Sequence, residues 1–428
     1  MTLTLRSTSY VALFSLFGLL AMASAVVAAS SDLPLLQASD LQYQGAFRVP
    51  TGKFGADSNA IFDYSDDGLA YNANNNSLFI KGHTSGQLVA EVSIPTIVNS
   101  SNKSNLTTAT VLQNFAEITE GNLWQENIAN GMRLGGLLVY NSKLIGATWA
   151  YYDGAGEQTK SHFTSGMTLA TSGDFHGLYT VGNVFPAFVG GYMTTIPSEW
   201  QSALGGPALT GHCCTSIIGH QSLGPSAWVF DPDRLGVQNP VSATPVVEYP
   251  IDHPTLGTWS GNGSVHPLYN MSTLITGVVF PRGTRSVLFF GRTGMGTPCY
   301  GCGGSTNPGG DCANQWCNDP VDSSKGTHVY PYSPYLWAYD VNDFVAVKNG
   351  TKNPWDITPY YHGVISLPFD TGANELNGAT YDPATQRIYV AQKCADGNCL
   401  PVIHIFKVNV ATSSDTTPPS APGSVRVR

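Results

Sequence analysis

His162, His83, Tyr152, Arg133 and Arg292 are the side chains of this sequence whose types could together move protons and neutralise a carboxylate. β-Elimination on a uronate-containing polymer would need all three roles. His162 or His83 would take the proton α to the carboxyl group. Tyr152 would protonate the leaving oxygen. Arg133 and Arg292 would stabilise the enolate-like state. Trp149 and Tyr151 could stack on sugar rings, and Lys160, Asn377, Gln392 and His328 complete a polar ligand-binding set. Arginine suits an anionic sugar because its planar fork meets a carboxylate or sulfate with two parallel bonds. Each type also has an ordinary structural duty. A histidine can be hydrogen-bonded in a core or solvated in a loop. Strand aromatics alternate between core and solvent. An arginine can be spent on an internal ion pair.

What groups these residues is a repeated phrase. Residues 68–80 read GLAYNANNNSLFI and residues 378–390 read GATYDPATQRIYV. Without a gap they share Gly68/Gly378, Tyr71/Tyr381, a turn-forming Asn72/Asp382 and a closing apolar run. GVVFPRGTRSVLF from Gly277 fits the same frame, and GLLVYNSKLI from Gly136 is a shorter version. The phrase describes a small-residue strand, a polar turn and a second apolar strand. A second phrase pairs SAWVFDPDRL at 226–235 with YLWAYDVNDF at 335–344. It predicts a strand with one buried face that ends at an Asp turn. LVAEVSIP at 88–95 and VIHIFKVNV at 402–410 hold similar places after their own hairpins.

Hairpins of fixed pattern, each followed by outer strands, predict an all-β propeller of about five to seven four-stranded blades. A divergent module is expected near 185–236, and a Cys-rich loop insertion at 299–327 lengthens a later one. DLQYQGAFRV at 40–49 is a strand that could complete the last blade and close the ring,. The phrase, above all 378–392, resembles the blades of NHL- and YVTN-type propellers; the resemblance covers four short segments and implies the fold alone. Some polysaccharide lyases are propellers too, but no lyase signature is present, so that comparison is an analogy of fold. In such a blade the Asn/Asp turn lies on one face. The flanks of the two strands lie on the other, where propellers commonly bind ligands. Those flanks are Asp66, Asp67, Arg133, Glu375 and Asn377 before the first strand. After the second come His83, Trp149, Tyr151, Tyr152, Arg292 and Gln392.

Domain organisation is expected as a 1–29 signal peptide, a single propeller domain over 30–412 and a Pro/Ser/Thr-rich tail over 413–428,. That tail resembles the lead-in to fibronectin type III modules. Arg6 is the only charge of the leader, and Val11 to Met22 is too short and too rich in small residues for a membrane span,. An exported chain without a membrane span is therefore expected. The formal net charge is −9 with only 11% charged residues. That leaves no electrostatic footprint for nucleic acid, and an anionic ligand would need a local basic pocket. Extracellular polysaccharide or glycan is the expected partner, bound or cut by a lyase or hydrolase; a non-catalytic surface or matrix propeller is the rival class. Oligomeric state is not legible.

The cysteines are even in number, as an exported disulfide framework requires,. Cys394 and Cys399 flank a natural turn and should bridge locally. Cys299, Cys302, Cys312 and Cys317 crowd one loop, where disulfides are preferred to zinc. Cys213 and Cys214 could close on each other or pair elsewhere. Asp66-Asp67-Gly68 could lend oxygen ligands to calcium but lacks an EF-hand frame,. Seven Asn-x-Ser/Thr sequons start at Asn75, Asn99, Asn102, Asn105, Asn262, Asn270 and Asn349; they matter only in a glycosylating host,. No Gly-x-Ser-x-Gly elbow, His-Glu-x-x-His, P-loop or dinucleotide fingerprint occurs, and GRTGMG at 291–296 follows a strand with no helix signal,.

Overall fold

The computed structural model describes residues 30–410 except 127, 129–130, 215–219, 254–265, 267, 305–311 and 313–314. The expected leader, the 413–428 tail and the sequon at Asn262 lie outside the described residues.

Five four-stranded antiparallel sheets form a ring of blades among the described residues. Chain order begins with β1 (Leu41–Arg48). Blade 1 is β2 (Leu69–Asn72), β3 (Ser77–Lys81), β4 (Val89–Ser93) and β5 (Val111–Ala116). Blade 2 is β6 (Met132–Tyr140), β7 (Lys143–Ala150), β8 (His162–Ser165) and β9 (His176–Tyr179). Blade 3 is β10 (Met193–Thr195), β11 (Ala208–Thr210), β12 (Ala227–Phe230) and β13 (Ala243–Val247), with helix α1 (Ser198–Leu204) between its first two strands. In blade 4, β14 (Leu274–Val279) and β15 (Ser286–Gly294) precede the insertion hairpin β16 (Cys299–Cys302) and β17 (Lys325–His328). β18 (Tyr332–Asp340), helix α2 (Val341–Lys348) and β19 (Tyr361–Val364) complete that blade. Blade 5 is β20 (Leu376–Asp382), β21 (Arg387–Asp396) and β22 (Leu400–Val408), and β1 pairs antiparallel with β22 as its outer strand. Closure thus joins the two ends of the described chain, and the 40–49 strand does complete the last blade. The inner strands β2, β6, β10, β14 and β20 each lie against the next around the axis.

The repeated phrase is the inner hairpin, and its chemistry explains its recurrence. The carboxamide of Asn72 accepts the N–H of Asn74, and the Asp382 carboxylate accepts that of Ala384, so each side chain builds its own turn,. Gly68 and Gly378 have φ of +122° and +129°, a region that favours glycine,. A Cβ on Gly136 would stand 2.1 Å from the carbonyl oxygen of Gly191, just before the next inner strand. Blade 3 lacks the phrase because α1 replaces its polar turn.

Each gap between blades holds its own apolar layer. Phe79, Leu134 and Phe163 fill the gap between blades 1 and 2; Val278, Phe289 and Trp337 face blade 3; Leu288, Leu336 and Ile388 fill the gap between blades 4 and 5. Both faces of a blade are therefore covered. This corrects the expectation of a single buried face at Trp228–Phe230 and Trp337–Tyr339. Val229 and Ala338 are buried as fully as the aromatics beside them, because each blade is packed between two neighbours.

The eight cysteines form four disulfides: Cys213–Cys214, Cys299–Cys317, Cys302–Cys312 and Cys394–Cys399. The preferred reading of the Cys-rich loop stands, and Cys213 and Cys214 close on each other. Among the described residues no group of three His, Cys, Asp or Glu side chains could hold a metal ion. No described helix is long and apolar enough to cross a membrane.

Candidate functional site

Antiparallel strands divide the connections of each blade between two faces. The turns inside the inner hairpins lie on one face. The links from one blade to the next, and from second to third strand, lie on the other. That second face surrounds one mouth of the axis, and a cluster of six ionisable side chains sits there. Lys81, at the end of β3, is buried and donates to the carbonyl oxygen of Leu134 at 2.6 Å, with the Asp66 carboxylate 3.6 Å away. Arg292 from β15 lies 3.3 Å from Glu375, and Lys393 from β21 lies 2.7 Å from the other oxygen of that carboxylate. Thr84 donates to Asp66 at 2.8 Å.

These neighbours split two adjacent carboxyl groups. Burial pushes Asp66 up, but Lys81, Lys393 and the Thr84 hydroxyl outweigh it and hold the group below the usual carboxylate range,. Asp67 is pushed up to about 7 by burial and by the negative charge of Asp66. Burial also works against an ionised Glu375, yet Arg292 and Lys393 keep it below its ordinary value. Lys393 is raised because Glu375 and Asp66 overcome its desolvation. At neutral pH the mouth therefore holds an ionised carboxylate beside one poised to give or take a proton.

Exposed aromatic rings lie on the links of the same face. Tyr64, Trp124, Tyr151, Tyr152, Phe185, Tyr300 and Tyr330 are the exposed large aromatic residues among those described. Tyr64, Trp124 and Phe185 lie on links between blades; Tyr151, Tyr152, Tyr300 and Tyr330 lie on links from second to third strand. All seven thus belong to the mouth face. Arg133 sets its guanidinium over Tyr151, 5.6 Å from the ring centroid. Gly131, at φ +87°, brings the chain close to both Trp124 and Arg133: a Cβ there would be 3.4 Å from the indole and 3.6 Å from Nη1 of Arg133.

The residues singled out from sequence divide into those on the mouth and those sealed beneath it. Tyr151 and Tyr152 are exposed, and Arg133, Trp149, His83, Lys160 and Arg292 are half-buried. His83 stands edge-on to Tyr64, and its Nδ1 accepts the N–H of Ser85. Trp149 packs between Tyr151 and His212. Lys160 donates to Gln125 at 3.3 Å. Arg292 stacks on Tyr332 at 4.3 Å from the ring centroid and is neutralised by Glu375.

His162, the first-choice base, is fully buried between blades 2 and 3. Its ring nitrogens meet Ser161 Oγ at 2.8 Å and Thr210 Oγ1 at 2.9 Å, and burial pushes its pKa down to about 3. A polymer has no path to it, so its place is structural. Gln392 ties Phe369 to His404, Asn377 donates to the carbonyl oxygen of Ser65, and His328 is held by Asp319 and the carbonyl oxygen of Ser324. All three are buried, and each is spent on internal bonds. Lys81, Lys393, Trp124 and Tyr64 were missed. A signal existed for the lysines: Lys81 directly follows the apolar end of the first phrase, and Lys393 comes three residues after the end of the last.

No family model matches the chain, and no curated protein matches it. Among solved structures it is similar to a glycosyl hydrolase from Bacteroides ovatus, at 11% identity and a TM-score of 0.39 over 88% of this chain and 96% of that one. A putative glycoside hydrolase from the same organism aligns at 9% identity and a TM-score of 0.38, over 84% and 95%. Raptor from Chaetomium thermophilum aligns at 8% identity and a TM-score of 0.32, over 86% of this chain and 30% of that one.

Proposed function

We propose that this protein engages an extracellular carbohydrate chain across the mouth face of its propeller. The observation that carries the reading is the segregation of every exposed Phe, Tyr and Trp ring among the described residues to that face. An aromatic ring offers a flat apolar surface with, in Tyr and Trp, a polar edge, which suits the alternating apolar and hydroxyl surfaces of a sugar. Four disulfides and an N-terminal leader sequence accord with an exported protein,.

A second reading, cleavage of the bound chain, is favoured by the Asp66/Asp67 pair. Neighbouring carboxyl groups whose proton affinities are pushed apart fit the acid and stabiliser roles of hydrolysis. Elimination is less well served: Glu375 already neutralises Arg292, and His162 is sealed.

Affinity electrophoresis through gels containing polysaccharides tests the binding. Trp124→Ala and Tyr151→Ala should each weaken retention without lowering Tm. Retention unchanged in the double variant would sink the reading. New reducing ends without ultraviolet-absorbing unsaturated ends would identify hydrolysis, and Asp67→Asn should then slow it by about 10²-fold or more. Unsaturated ends would overturn the hydrolytic reading in favour of elimination. Retention with neither product would leave a binding protein.

A further inference from the structure

We infer that Arg133 is a seat for an anionic substituent, a carboxylate or sulfate, on the sugar chain held at the mouth. This rests on the mouth-face reading and narrows it to acidic glycans. The cations of the central cluster are ion-paired: Lys81 faces Asp66, and Arg292 and Lys393 share Glu375. Lys160 donates to the neutral amide of Gln125. Among the described residues Arg133 has no carboxylate within ion-pair distance. Glu126, seven positions before it in the chain, spends its oxygens on the backbone N–H groups of Thr159 and Lys160 and the Thr159 hydroxyl. In a chain of net charge −9, such an arginine on an exposed rim is set against the overall field,.

The flanking groups fix what it could take. Tyr151 lies beneath the guanidinium, and Trp124 stands beside it across Gly131. Stacking leaves the N–H edges of a guanidinium free, because cation–π contact uses its face while hydrogen bonds lie in its plane. A sugar ring against Trp124 or Tyr151 could then place a carboxylate or sulfate against that edge for a paired, charge-assisted contact.

The test uses the full chain and matched polymers. Polygalacturonate is compared with its fully methyl-esterified form, and dextran sulfate with dextran, by isothermal titration at low and moderate salt. The charged member of at least one pair should bind more tightly, and added salt should weaken it. Preference within the first pair identifies a carboxylate, and within the second a sulfate. Arg133→Gln should weaken the charged polymer by roughly tenfold or more, well beyond its effect on the neutral counterpart. Arg133→Lys should restore part of the loss, since charge returns without the fork. Equal binding of charged and neutral forms, or no effect of Arg133→Gln, overturns the anionic seat while leaving the mouth-face reading intact. Loss of binding to every polymer in the wild type would remove both.

Discussion

His162, His212 and His404 are each pushed down to about 3 by burial. An unfolded chain takes a proton on each near its ordinary value, whereas the folded chain refuses it. Their stabilising contribution is therefore full above about 6.5 and is lost as pH falls toward 3, with a slope of about 1.4 kcal/mol per pH unit for each residue. Asp67 works in the opposite sense. Its folded value of about 7 lies above the ordinary carboxylate range, so its contribution is full below about 4 and is lost as pH rises through 7,. Urea unfolding between pH 7 and 4 checks this. His162→Gln should remove about 1.4 kcal/mol per pH unit from the slope below pH 6, and an unchanged slope would contradict the assignment. The type and position of these groups were legible in the sequence. Their proton affinities were not, because desolvation belongs to the neighbours that surround a side chain.

The inner hairpin is the element on which the ring depends, and its glycines are points of backbone contact. A Cβ at Gly136 would approach the Gly191 carbonyl oxygen to 2.1 Å, and one at Gly277 would come within 2.4 Å of the Ala379 amide nitrogen. Neither obstacle is a flexible side chain, so whole strands must separate. Gly136→Ala should cost about 2 kcal/mol or more. Gly326→Ala in the insertion hairpin meets nothing within 4 Å and should stay within about 0.5 kcal/mol of wild type,. Thermal unfolding of the two variants makes the comparison; equal losses would argue against close approach as the reason for the phrase. The same contact explains why the phrase can be read at all. Steric demand at one backbone position permits one residue type, whereas the blade 3 hairpin, bridged by α1, carries no such signature.

Ring closure belongs to the whole molecule. β1 is paired with β22 over Leu41–Val408 to Arg48–Val402, and Phe47 is buried in the layer between blades 5 and 1. Removing residues 30–48 would leave β22 as an open edge and expose that layer, so the truncated chain should associate. Phe47→Ala keeps the edge covered and should remain monodisperse while losing about 3–5 kcal/mol. Size-exclusion chromatography and unfolding of both variants separate edge pairing from core loss. The sequence by itself determined the hairpins, their direction, the closing strand and the local Cys394–Cys399 bridge, because turns, glycine contacts and strand pairs act through local residue type. Only the tertiary structure decided that the blades number five, that His162 is sealed, and that Glu375 pairs with Arg292 while Arg133 lies over Tyr151. The reason is physical: those outcomes depend on which blades meet across the axis, bringing together residues as far apart in the chain as Asp66 and Lys393, and on how much water each meeting excludes.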